Sequence, residues 1–177
     1  MSRMSKKDQL LEASLDIIAS DGIPGVTYDR LATVTGLSKS GLIYHFPSRH
    51  DLLVGLHEFT AARWEKKIID HAGGKTADEL TERERYRAML VTMSEHEPVT
   101  ELLVTLHART HEDFARPWVE VEDRWLPDVH TPSTDKNLVA ATVLASGLWA
   151  HDHIYVKPLA PENRKVVVEK LLELLEI

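Results

Sequence analysis

Cysteine is absent from the 177 residues. That excludes a disulfide scaffold, a thiolate metal site and a cysteine nucleophile, and it fits a reducing compartment. An apolar signal core is missing too. The opening MSRMSKKDQ holds none, which argues against a secretory leader. Long hydrophobic runs are lacking. The longest, Val139 to Ala150, is broken by Thr142, Ser146 and Gly147 and falls short of the roughly 20 apolar residues of a membrane span. The expectation is a cytoplasmic protein with no membrane partner. Finally, the chain lacks an excess of basic charge. Its formal net charge is -7, which at face value argues against a nucleic-acid partner, because phosphate binding favours Lys and Arg.

What is present is an ordinary globular composition, with 43% hydrophobic and 28% charged residues. The charge is unevenly spread. Residues 1–50 carry six basic side chains (Arg3, Lys6, Lys7, Arg30, Lys39, Arg49) against five acidic ones, Asp8, Glu12, Asp16, Asp21 and Asp29. The acid excess therefore belongs to the remaining two-thirds. From Leu37 to His50 there is no acid at all. An acidic remainder is ordinarily a solvated face, and here it can point away from a polyanion.

The apolar spacing is helical throughout. Leu11, Leu15 and Ile18 share one face of a first helix that ends before Gly22. Thr27 caps a short helix from Tyr28 to Thr35, and Gly36 breaks it. Ser38 caps another of two turns, Lys39 to His45, stopped by Phe46-Pro47. Ser48, with Asp51 three residues on, opens a long helix over about 48–70. Further helices are expected over about 78–95, 99–109, 111–126 (interrupted by Pro117), 135–156 and 162–176. No segment shows strand alternation, and there is no internal repeat. The expected fold is all-α with about nine helices. An N-terminal three-helix domain, 1–47, precedes a larger helical domain, 48–177.

Thr27 to His45 reads as a helix-turn-helix. In such a unit the first helix crosses the DNA backbone and the second offers its N-terminal residues to base edges. Lys39-Ser40-Gly41 supplies a cation, a hydroxyl and a residue with no side chain to obstruct approach; Tyr44 and His45 add a phenol and an imidazole. Two plain packed helices would share the bare pattern.

The longer stretch GIPGVTYDRLATVTGLSKSGLIYHFPSRHDLL resembles the N-terminal domain of the TetR family of transcriptional regulators, over roughly Lys6 to Leu56. Within that family it looks most like the small CgmR-like drug-sensing repressors of actinobacteria. The resemblance implies phosphate contacts at Thr27 and Tyr28. It implies base and phosphate contacts at Ser38, Lys39, Ser40 and Gly41, then Tyr44 and His45 at the end of the recognition helix, and a backbone contact at Arg49. Two positions depart from the family pattern: Gly41 replaces the usual Thr and Ile43 the usual Tyr. Ile43 is expected in the core of the small domain.

The resemblance also implies a C-terminal ligand pocket and a homodimer through the last two helices. Leu171, Leu172, Leu174, Leu175 and Ile177 offer more apolar surface than one monomer face needs. Ala140, Ala141, Ala145, Ser146, Gly147 and Ala150 would let helices approach closely. The expected effector-binding set is Trp64, Leu103, Leu106, His107, Trp118 and Trp149. Tryptophan faces near acids such as Glu122, Asp123 and Asp152 suit an aromatic or lipophilic cation. Each tryptophan, Trp125 included, is equally at home in a core.

Ten histidines raise a metal alternative. His107 and His111 stand at i, i+4, and His151-Asp152-His153 adds candidates, so a metal-responsive regulator is the runner-up. No cofactor is expected, and the preferred reading assigns no histidine to a metal. An enzyme would need a nucleophile elbow, a Gly-rich phosphate loop or H-E-x-x-H, and none is present. A helical adaptor would have no need of this capped N-terminal unit.

Overall fold

The computed structural model describes residues 5–95, 98–132 and 134–176, except the side chains of Asp152 and Glu176. Two of the expectations above, the Asp152 carboxylate and Ile177, lie outside the described residues. Among the described residues there are nine α-helices and no strand: α1 Lys6–Asp21, α2 Tyr28–Thr35, α3 Lys39–His45, α4 Arg49–His71, α5 Glu82–Met93, α6 Val99–Ala108, α7 Glu112–Trp125, α8 Lys136–Ile154 and α9 Pro161–Glu176. The all-α expectation holds, and most helix ends fall within two residues of those read from the sequence.

Two boundaries differ, for physical reasons. The helix expected from residue 78 starts at Glu82, after a 3-10 turn over Ala77–Glu79. Thr76 with Glu79 and Thr81 with Glu84 each form a capping box, and the second one sets the true start. Pro117 does not interrupt α7. A proline there removes one N–H from the helix ladder and crowds the carbonyl four residues back, yet the helix continues to Trp125.

The chain packs as two compact units. The first comprises Met1–Arg63 and Pro98–Val119, and the second Trp64–Glu97 and Glu120–Ile177. Residues 1–47 thus share the first unit with the start of α4, with α6 and with the start of α7. Its core is built from Leu10, Ile17 and Ile18 of α1, Leu31, Leu42, Phe46, Leu52, Leu56 and Val104, each at most 3% exposed. The core of the second unit joins Leu90, Ala141, Ala145 and Leu171, flanked by Met93, Leu126, Leu144, Leu172, Leu174 and Leu175. Small residues of α8 let α9 lie close against it.

Glycine decides one contact in the first unit. A Cβ on Gly55 would stand 2.8 Å from Phe46 Cε1, so α4 can pass the Phe46 ring only without a side chain there. Gly55→Ala is expected to lower stability by about 1 kcal/mol: overpacking of about 1–3 kcal/mol, partly offset by the better helix propensity of alanine. A melting temperature unchanged or raised would show that Phe46 can move aside freely.

Candidate nucleic-acid interface and histidine cluster

The helix-turn-helix forms from its caps. Thr27 Oγ1 accepts from the Arg30 amide at 3.2 Å and Ser38 Oγ from the Gly41 amide at 3.2 Å, which fixes the first turns of α2 and α3. Between them Gly36 takes φ 71°, a left-handed conformation that ends α2 and turns the chain. Leu31 and Leu42 bury the facing sides.

This packing leaves one face of α3 open. Ser38, Lys39 and Ser40 are exposed, Tyr44 is 84% exposed, and Gly41 and His45 are half-buried. Packing does not require Gly41 to be glycine: a Cβ there would meet nothing nearer than Ser38 Oγ at 3.4 Å. The expected core position of Ile43 is overturned. Ile43 is 47% exposed, because the buried face of α3 runs through Leu42 to Phe46, four residues on, and position 43 turns off it. It adds an apolar group to the open face that sequence reasoning missed.

The Ser38 and Ser40 hydroxyls are hydrogen-bonded to each other at 3.0 Å, and three further polar candidates already have partners. Lys39 Nζ pairs with Asp29 at 2.5 Å, but both side chains are well exposed, so the pair is worth no more than about 1 kcal/mol. The Tyr28 hydroxyl donates to the Phe46 carbonyl at 2.6 Å, closing α2 onto the end of α3. Burial, and then the nearby Asp51 carboxylate, raise its pKa, so it remains a phenol. Arg49 donates from Nε to the Val26 carbonyl at 2.9 Å and from Nη2 to the Ile23 carbonyl at 3.1 Å. It anchors the first turn of α4 to the loop before α2.

The candidate effector residues do not gather within either unit. Leu103, Leu106, His107 and Trp118 belong to the first unit, and Trp64 and Trp149 to the second. Leu106 is 55% exposed, whereas Trp118 is 9% exposed. The remaining tryptophan, Trp125, is fully buried, and its indole N–H donates to Glu65 at 2.9 Å, beside a two-pronged Arg124–Glu65 pair. A cavity of about 300 Å³ in the second unit is lined by His71, Leu80, Glu84, Arg87, Ala88 and Val91, among others; none of the six candidates lines it.

The histidines assemble in a way their spacing did not foretell. The proposed i, i+4 pair is broken, because α6 ends at Ala108 and His111 precedes α7. His107 meets His57 of α4 instead, Nδ1 to Nε2 at 3.0 Å. Trp118 Nε1 donates to His57 Nδ1 at 3.1 Å. An indole nitrogen is a donor only, so His57 Nδ1 must carry the lone pair and Nε2 the proton, which it donates to His107 Nδ1. Protonating His57 would set two N–H groups face to face at Trp118. Burial, and then the proximity of His107, lower its pKa to about 4. Burial and Arg49 lower that of His107 as well. The Phe114 ring lies 5.0 to 5.2 Å from four imidazoles, those of His50, His57, His107 and His111. His50 and His111, both exposed and against that same ring, form a second group with the half-buried Asp113.

Comparison with known proteins agrees with this architecture. Residues 10–56 match the family described as bacterial regulatory proteins, tetR family. Residues 83–176 match the family described as Tetracyclin repressor-like, C-terminal domain. The HTH-type transcriptional regulator RutR of Escherichia coli K12 is 35% identical over 52 residues, 29% of this chain; the chain spans 24% of the length of that relative. Two solved structures share the fold over nearly the whole chain. A transcriptional regulator from Rhodococcus sp. Rha1 aligns with a TM-score of 0.69 at 14% identity, over 97% of each chain. The multidrug binding protein EbrR, complexed with malachite green, aligns with a TM-score of 0.66 at 17% identity, over 97% of this chain and 98% of that one.

Proposed function

Since the chain belongs to the TetR family of bacterial regulatory proteins, we propose that it is a cytoplasmic transcriptional repressor, binding a two-fold operator in double-stranded DNA as a homodimer and released by a small hydrophobic effector. It is a regulator and not an enzyme. The observation that carries the reading is the open face of α3, positioned by the Thr27 and Ser38 caps and the left-handed Gly36 that precede it.

On this reading α3 enters the major groove. Lys39, Ser40 and the amides at the start of α3 meet phosphate and base edges, Gly41 allows close approach, and Ile43 offers an apolar contact to a thymine methyl. Thr27 keeps its hydroxyl hydrogen for a phosphate oxygen, and the hydrogen-bonded Ser38 and Ser40 hydroxyls retain one more between them. Tyr44 and His45 reach the backbone at the far end. Tyr28 and Arg49 act by fixing α2, α3 and α4 to one another. A two-fold dimer places the second copy of α3 about 34–36 Å away, one helical turn of DNA.

An exposed apolar stripe supports dimerisation through α8 and α9. Ala140, Val143, Gly147, Ala150 and Ile154 recur at helical spacing on α8; Val143 is 64% and Ile154 70% exposed, and Val166 on α9 is 54% exposed. The effector class rests on similarity to EbrR, whose ligand malachite green is a lipophilic aromatic cation. Such a ligand would release DNA by preferring a position of α4 in which the two copies of α3 no longer match successive grooves.

Selection from a random duplex pool tests this reading, with an inverted repeat as the expected product. Failure to enrich any sequence would overturn it. Malachite green added to the selected complex should quench tryptophan fluorescence and release the DNA. Lys39→Ala is expected to weaken binding to all sequences and to reduce the salt slope by about 1. An unchanged slope would mean that Lys39 stays with Asp29 in the complex.

A further inference from the structure

The histidine cluster of the first unit has an inner and an outer half, divided by Phe114. In the inner half His57 and His107 bond to each other, and Trp118 takes the remaining nitrogen of His57. The outer half is different. His50 from the first turn of α4, His111 from the link between α6 and α7, and Asp113 from the first turn of α7 bring one ligand atom each within 4.8 Å of one another at the protein surface. His50 Nε2 lies 3.0 Å from Asp113 Oδ2, and His111 Nδ1 lies 3.5 Å from the same oxygen.

We propose that His50, His111 and Asp113 form a binding site for one divalent transition-metal ion of the zinc, cobalt or nickel class. With metal–ligand bonds of about 2.0–2.2 Å, tetrahedral ligand atoms stand about 3.4 Å apart, and the two measured separations bracket that value. Two imidazoles and one carboxylate suit a borderline ion and not Mg²⁺ or Ca²⁺, which take oxygen ligands. Three protein ligands leave one position for water. His111 Nδ1 accepts the Asp113 amide at 3.1 Å, so this nitrogen is unprotonated, and an ion would take its one lone pair over from that amide. His50 would give up the proton it shares with Asp113. Arg116, 3.8 Å from the other Asp113 oxygen, is a competing cation and leaves Oδ2 to the ion. The rings of His50 and His111 already meet edge to face at 4.7 Å on Phe114, which limits the reorganisation that binding needs. An ion here would fasten the first turn of α4 to the start of α7. The site does not depend on the chain binding DNA.

The test uses the full chain with any purification tag removed and residual metal stripped. Zn²⁺ is titrated in competition with a chromophoric chelator, and Co²⁺ is followed by its visible absorption. One equivalent is expected, with the intense bands of a tetrahedral ion and a rise in melting temperature. His111→Ala, at an exposed position, and Asp113→Asn, at a half-buried one, should each weaken binding by about 10-fold or more, while His130→Ala should leave it unchanged. Absence of the one-equivalent phase overturns the proposal. So does binding that survives both His111→Ala and Asp113→Asn, which would place the ion on other histidines.

Discussion

Gly147→Glu is expected to turn the proposed homodimer into a folded monomer and to weaken operator binding by about 100-fold or more. Gly147 sits in the middle of α8, in the exposed stripe with Val143 and Ile154. A Cβ built there meets nothing within 4 Å, so the chain itself has room for a side chain. Glycine is worth about 1 kcal/mol less than alanine inside a helix, so the substitution should not harm the single chain. In the proposed two-fold interface the same change would be felt twice, because the stripe would face its own copy. Each glutamate would be buried without a partner cation, and removing an unpaired charge from water costs several kcal/mol. A monomer has one recognition helix and loses the effective-concentration advantage of a second linked site, worth about 10²–10⁴ in affinity. Sedimentation would measure the mass, circular dichroism the fold, and anisotropy the DNA affinity. A Gly147→Glu chain that stays dimeric would move the interface off this face of α8.

The legible and illegible parts of the molecule separate by the range of the interactions that make them. Helix ends are local: Thr27, Gly36 and Ser38 could be read because a cap concerns atoms within four residues of it. The start of α5 was equally legible, since Thr81 and Glu84 spell a capping box, as Thr76 and Glu79 do for the 3-10 turn before it. Ile43 was misplaced by hydropathy alone, although its offset from Leu42 and Phe46 already turned it outward. The histidine cluster belongs to the other class. His57 and Trp118 are 61 positions apart, and His50 and Asp113 are 63 apart. Only packing of α4 against α6 and α7 joins them. The one trace in the sequence was the seven-residue spacing of His50 and His57, which places both on one face of α4. The spacing that did attract notice, His107 to His111, was an accident of numbering across a helix break. The -7 charge proved a weak guide for the same reason: an average over 177 residues says nothing of the short stretch from Leu37 to His50, where acid is absent.

Between pH 6.5 and about 4 the protein is expected to lose roughly 3 kcal/mol of stability through His57 alone. His57 is fully buried, its Nδ1 accepting from Trp118 and its Nε2 meeting His107. The cationic form would need Nδ1 to carry a proton toward the Trp118 N–H. It would also meet His107 from α6, with the positive charge of Arg49 beyond it, and no anion comes from Phe114 or Trp118 of α7. The native imidazole therefore stays neutral down to about pH 4, whereas in the unfolded chain it protonates near its ordinary value of 6.5. Across that window the unfolded state holds one more proton than the native state. Stability then rises with pH, by about 1.4 kcal/mol per unit, is fully present above 6.5 and is lost as pH falls towards 4. His107, shifted the same way, steepens the slope. His57→Gln keeps an acceptor for Trp118 and a donor for His107 but cannot titrate. Urea unfolding of both proteins at half-unit steps, in the presence of chelator, separates the contributions. The variant is expected to start less stable at pH 7.5 and to keep only the shallower slope that His107 contributes down to pH 4.5, so that the two curves converge on the acid side. Parallel curves would mean that the acid sensitivity lies in other groups and that the buried cluster accommodates a charged His57.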